Sequence, residues 1–328
     1  MQRHIWIGLL AALLAMGCGD DDDSGNPDGS TTPDGTTGDT SVDGSFTPPA
    51  NIGESITTYS QIVLASYEDS ITEAMALDTA LDALVAGPTD ATLTAAKEAW
   101  LASREPYLQT EVYRFYDGPI DNPTDGPEGL INAWPMDEAY VDYVAGMDMA
   151  GIINDPAAVP MINAASIEPL NEVGGEENVA TGYHPIEFLL WGQDMDPAGP
   201  GNRPFTDYVT GGTGTAANQD RRGQYLQTAS ELLLRDLTQV RDAWAEGSTT
   251  NYRATFESAD PLESFGNILT GMIILSGFET GGERLQTALD SGDQEDEHSC
   301  FSDNTHRDMV GDCIGIQNVY EGRYQRLD

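Results

Sequence analysis

Positive charge is what this chain has least of: 14 Lys+Arg stand against 55 Asp+Glu in 328 residues, a formal net charge of −41. Such a polyanion repels phosphate backbones, so nucleic acid is excluded as a partner. The same acids offer hard oxygen ligands to cations, although acidity alone also serves solubility. Cysteine is scarce as well, with only Cys18, Cys300 and Cys313. Three thiols are too few for an iron–sulfur cluster, and no CxxCH is present for covalent haem. The chain also lacks a GxSxG elbow, a phosphate-cradling GxxxxGK[ST] and the zincin pattern HExxH. No stretch alternates in the way the strands of a sizeable sheet would.

The N-terminus, MQRHIWIGLLAALLAMGC, carries Arg3 and then an apolar run from Ile5 to Met16. That run is too short to cross a bilayer and reads as the core of a signal peptide. Ala15-Met16-Gly17-Cys18 resembles a bacterial lipobox, with cleavage after residue 17 and lipidation of Cys18 expected; ordinary secretion with a nearby cut is the alternative. Residues 18–50 are rich in Asp, Gly, Thr and Pro and nearly free of large apolar side chains. They cannot bury enough surface to offset ordering entropy, which predicts a disordered acidic tether.

From Ile52 onward the pattern becomes helical. Ile56, Tyr59, Val63, Tyr67, Ile71 and Ala74 recur at three- and four-residue steps, and Gly87-Pro88 marks the stop. Thr89 or Asp90 can cap a second helix carrying Trp100, Arg104, Tyr107 and Glu111 on one side, with a kink or restart at Pro106. Gly118 to Pro135 reads as an ordered loop. Pro135 can open a further helix with Asp137 and Glu138 in its first turn, where the dipole favours anions. A Pro/Gly-rich stretch from Asp194 to Gly214 marks a crossover. Tyr225, Ala229, Leu233, Leu237, Val240 and Trp244 then form the stripe of a long helix. Another is predicted from Pro261 to Leu289, where Gly266, Gly271 and Gly277 are spaced for close helix packing. The fold class expected is all-α, with two helical-bundle halves in series: residues 51–195 and 215–328.

The chemistry concentrates in GYHPIEFLLWGQD, Gly182 to Asp194. If Pro185 occupies the first turn of a helix, His184 and Glu187 lie three apart on one face beside an apolar run. A buried imidazole and a buried carboxylate each need a partner, which a metal ion or a plain hydrogen-bond network can supply. Near the C-terminus, His298, Asp303, His306 and Asp308 form a second dense set of potential ligands; a second metal site and a hydrogen-bonded loop both fit. The oxidising environment of an exported chain favours a Cys300–Cys313 disulfide, worth roughly 3 kcal/mol in the chain-entropy model.

Gly182, His184 and Glu187 stand as GxHxxE, the signature of the imelysin family, also called the insulin-cleaving membrane protease family. WLASREPYLQTEVYRFYDGPID (100–121), PEGLINAWPMDEAYVDYV (127–144) and EHSCFSDNTHRDMVGDCIGIQNVYEG (297–322) resemble its iron-regulated protein A branch, and the likeness runs from about residue 52 to the C-terminus. The resemblance implies an all-α imelysin-like domain over 51–328 with GxHxxE near the junction of its halves. It favours Glu111, and less strongly Asp137, as further metal ligands beside His184 and Glu187. Arg104, Tyr107, Asp303 and His306 are candidates for lining that site. One imidazole with several carboxylates suits a divalent or trivalent ion, iron first and zinc or manganese next. The function implied is that of a membrane-anchored extracytoplasmic metal-binding lipoprotein of iron acquisition, on the periplasmic or cell-surface side. A membrane or haem protein of an iron system would be its partner. The alternative is a metallopeptidase using the same motif.

Overall fold

The computed structural model describes residues 49–327, and the leader, Cys18 and the acidic linker through residue 48 lie outside the described residues. Helix α1 (Ile52–Ala86) buries Ile56, Tyr59, Val63, Tyr67 and Ala74, the stripe read from the sequence, and ends at Gly87. Thr89 caps α2 (Asp90–Leu108): its hydroxyl accepts from Thr92 N at 3.1 Å while Thr92 answers to Thr89 N at 2.9 Å. The helix does not restart at Pro106 but runs through it for two more residues before ending; the chain then tightens into a 3-10 turn, Glu111–Tyr113.

Between residues 114 and 182 there are only short helical turns. The helix expected to open at Pro135 begins instead at Glu138 and lasts four residues, with Asp137 as its cap accepting from Ala139 N at 2.9 Å. The motif helix α3 (Tyr183–Trp191) is buried along its whole length. After the Pro/Gly-rich crossover come α4 (Gln219–Ala243), α5 (Tyr252–Ser258) and α6 (Pro261–Ile274). The single helix expected to run from residue 261 to 289 changes character at Leu275: a π-helical segment spans Leu275–Gln286 before a last turn, Thr287–Ser291. Of the three glycines spaced for packing, Gly271 alone meets a close neighbour, since a Cβ there would stand 2.2 Å from Val112 O; Gly266 and Gly277 face open space. The terminal helix is α7 (Thr305–Glu321).

The described residues are all-α, with no strand and one isolated bridge between Val144 and Met147. Helix α1 packs along both α2 and α4, α7 lies against α2, and α3 is wedged between α2 and α4. Helices from before and after the 194–214 crossover are thus interleaved, and Pro48–Asp328 forms one compact unit. The crossover itself is pinned by buried charge. Arg222 of α4 donates to both oxygens of Asp142 (2.7 and 2.9 Å), and Arg203 donates to the same carboxylate at 2.8 Å. Those arginines hold the Asp142 carboxyl below its ordinary range against the upward push of burial.

Candidate functional site

Helix α3 is placed by a glycine that no other residue could replace. Gly182, its N-cap, has φ +95°, and a Cβ there would lie 2.4 Å from Ile131 O. The first turn is also docked from outside, because Trp100 Nε1 donates to Tyr183 O at 3.0 Å. Pro185 falls in that turn, as its missing N–H requires. His184 and Glu187 consequently share an inward face, each fully buried.

The His184 Nδ1 to Glu187 Oε2 distance is 2.9 Å, and Glu187 Oε1 accepts from the backbone and hydroxyl of Ser302 at 3.0 and 2.6 Å. Burial pushes the Glu187 carboxyl up to about 8, only partly relieved by Ser302, and pushes the imidazole well below its ordinary value. Around neutrality the Glu187 carboxyl therefore keeps its proton and donates it to Nδ1, and the neutral ring carries its own hydrogen on Nε2. Once Glu187 gives up its proton, the ring hydrogen moves to Nδ1 and Nε2 becomes a bare lone pair. His184 Nε2 has no hydrogen-bond partner in the protein.

A second imidazole–carboxylate pair stands against the first. The His298 ring lies 5.0 Å from that of His184, and its Nδ1 is 2.6 Å from Asp308 Oδ2. Asp308 also accepts from Ser299 Oγ and stands 3.5 Å from Arg104 Nη2. Arg104 leads the influences that hold Asp308 below the carboxylate range despite burial, so His298 Nδ1 donates its proton. Burial lowers His298 to about 4, leaving it neutral. Trp134 covers the pair, its ring 4.7 Å from His184 and 6.3 Å from His298.

Beside these pairs runs a denser ionic cluster. Glu111 accepts from Arg114 at 2.7 Å and from Arg284, whose Nη1 donates to Asp312 Oδ2 at 3.0 Å. Thr280 Oγ1 donates to the same Asp312 oxygen at 2.9 Å. The two arginines keep Glu111 ionised against its burial, whereas burial raises Asp312 to about 7. Thr280 and Arg284 both come from the π-helical segment, a geometry often found at functional positions.

Not every residue singled out from the sequence reaches this place. Glu111 is consumed by its arginines and bonds neither His184 nor Glu187. Asp137 is an exposed helix cap. Asp303 and His306 are exposed, the latter meeting only Asp303 O at 3.2 Å. Arg104 and Tyr107 are buried here, with the guanidinium over the Tyr107 and Tyr183 rings at 5.5 and 4.8 Å. The expected disulfide is not formed: Cys300 is a buried free thiol and Cys313 an exposed one. On α7 the inward positions are Asp308, Gly311, Asp312 and Gly315, so Cys313, one step past Asp312, turns to solvent. Asn132, Trp134, Arg284, Ser302 and Asp312 escaped the sequence reading. Asn132 and Trp134 lie within the 127–144 stretch and Ser302 and Asp312 within the 297–322 stretch, so their resemblance was visible but their role was not.

Among the described residues, no three His, Cys, Asp or Glu side chains are grouped so as to hold a metal ion. Each imidazole spends Nδ1 on a carboxylate, and Arg104 lies among them. The side chains present therefore do not make a complete cage for iron.

An all-α chain with a buried GxHxxE helix at its centre has relatives. The imelysin family model matches residues 63–328, and the chain belongs to the imelysin family. The chain is also similar to iron-regulated protein A of Synechococcus elongatus, 26% identical over 269 residues that cover 82% of this chain and 63% of that protein. The chain thus spans somewhat under two thirds of that relative's length. It also shares its fold with a crystal structure from Parabacteroides distasonis assigned as an iron-regulated protein A precursor. There the TM-score is 0.59 at 20% identity, over 86% of this chain and 76% of that one. No helix among the described residues is long and apolar enough to cross a membrane.

Proposed function

We propose that this protein is a non-enzymatic, extracytoplasmic lipoprotein of iron acquisition, anchored through Cys18, that engages iron at the buried site between α3 and residues 298–308. One observation carries the reading: His184 has Nδ1 tied to Glu187 and Nε2 without a protein partner. A carboxylate that orients an imidazole in this way commonly stands behind a nitrogen offered to a metal. The His298–Asp308 pair repeats the arrangement 5.0 Å away. The names of the relatives support an iron-related role, and the apolar leader ending in Cys18 supports export and anchoring. Since the chain's own side chains do not complete a cage, the remaining coordination positions fall to ligands that arrive with the metal. A peptidase acting at this motif would need a base free to take a proton from water, and both oxygens of Glu187 are engaged. The test is iron content after purification without chelator. Wild type should retain iron that His184→Ala loses; equal content in the two would remove His184 from the site, and cleavage of an unfolded protein lost in Glu187→Ala would restore the peptidase reading.

A further inference from the structure

Arg104 and Asn132, beside Asp308 and His184, carry donors that no group in the protein accepts. Arg104 is fully buried and donates from Nη1 to Asn132 Oδ1, which leaves Nε and Nη2 without hydrogen-bond partners. Nη2 is 3.5 Å from Asp308, an ion pair but too long for a hydrogen bond. Asn132 accepts through Oδ1, and its Nδ2 is unpartnered. His184 Nε2 is likewise unpartnered. Asp308 is not their missing acceptor, because His298 and Ser299 already fill its Oδ2 at 2.6 and 2.5 Å and Asn304 Nδ2 donates to its Oδ1 at 3.4 Å. Leaving a buried donor unmatched costs about 1–3 kcal/mol, and more when it is charged.

The identity of the unmatched atoms is informative. Nε and Nη2 form one of the two edges of a guanidinium that present a pair of parallel N–H bonds, the match for the two oxygens of a carboxylate. The fork is held in place by aromatic rings, its carbon lying 5.5 Å from the centroids of Trp100 and Tyr107 and 4.8 Å from that of Tyr183. A lysine could not offer that edge.

We propose that Arg104 and Asn132, together with His184, form a buried binding site for a carboxylate-bearing anion. This rests on the preceding reading of the site and deepens it, because the oxygens of such an anion would supply the coordination positions that the chain leaves open. The same chemistry has two sources, a free polycarboxylate or its ferric complex.

The probe is citrate, alone and as ferric citrate, titrated into the full-length chain and followed by calorimetry and by tryptophan emission, to which Trp134, its ring 4.7 Å from that of His184, contributes. Asn132→Asp keeps the oxygen that accepts from Arg104 and replaces the unpaired amide donor with a carboxylate oxygen. It should weaken binding at least tenfold while circular dichroism stays unchanged. Arg104→Lys, which keeps the charge and removes the fork, should do the same and serves if the first variant fails to fold. Absence of binding by either probe at millimolar concentration, or equal binding by wild type and both variants, overturns the proposal. Ferric citrate bound tenfold more tightly than citrate in wild type, with the advantage lost in His184→Gln, identifies the iron complex as the ligand. Equal affinity for both probes, weakened in the variants, supports the anion site while counting against iron as its cargo.

Discussion

Glu187 is a carboxyl group whose surroundings set a measurable pH dependence. Its native pKa of about 8 lies above the ordinary carboxylate value, so the folded state binds more protons than the unfolded chain in between. Stability from this group is therefore complete at low pH and is lost as pH rises toward 8. His298 acts in the opposite sense. Lowered to about 4, it contributes stability that is full above its ordinary value of 6.5 and is lost as pH falls through 4. Between 6.5 and 8 the histidine is silent, and Glu187 dominates, with Asp312 and the half-buried Glu295 helping up to about 7. We expect stability to fall across that window with a slope approaching ~1.4 kcal/mol per pH unit. In Glu187→Gln, which can still hydrogen-bond Ser302 and His184, the urea midpoint should move much less between pH 6.5 and 8 than in wild type, the remainder belonging to Asp312 and Glu295. An unchanged slope in the variant would show that Glu187 does not titrate there. Gly182 offers a second residue-scale expectation: Gly182→Ala combines φ +95° with a 2.4 Å approach to Ile131 O. It should lose about 3 kcal/mol or more, read from the same melts.

Helices were the most legible level of this chain, and the reason lies in particular residues. Tyr59, Val63 and Tyr67 repeat with the helical period and are buried on α1, while Thr89 and Thr92 have the chemistry of a capping pair. Such signals are local, within one or two turns. What the pattern could not carry was anything decided between distant elements. The family resemblance favours Glu111 as a ligand, but Arg284, more than 170 positions on, claims it. Compartment and count favour a disulfide, yet Asp308 and Asp312 occupy the inward register of α7, which turns Cys313 outward. We expect Cys313 to react with a thiol reagent in the native protein and Cys300 only on unfolding. A thermal midpoint lowered by reductant would contradict this. The glycines of α6 divide in the same way: Gly271 lies 2.2 Å (as Cβ) from Val112 O, and Gly266 faces open space. Gly266→Ala should gain up to ~1 kcal/mol from helix propensity, while Gly271→Ala, forced against backbone, should lose stability.

For the whole molecule, the interleaving of helices decides how it unfolds. A division at the 194–214 crossover would leave α1 and α2 without α4 and α7, the helices that cover them from the other side. It would also strand Asp142 and Arg203 from Arg222, and breaking a buried charge network by removing one partner costs about 3–5 kcal/mol. The aromatic cluster is divided likewise: Tyr59 of α1 meets Trp244, just past the end of α4, at 6.0 Å and Phe256 of α5 at 5.6 Å. These contacts make the two sides of the crossover mutually dependent, so each lacks a closed core alone. We expect one urea transition, with far-UV circular dichroism and tryptophan emission coincident as two-state unfolding requires. A fragment ending at residue 214 should remain unfolded at neutral pH. Two resolved transitions, or a fragment with a cooperative melt of its own, would mean that the halves are independent bundles and that the site between α3 and residues 298–308 is assembled by docking rather than by folding.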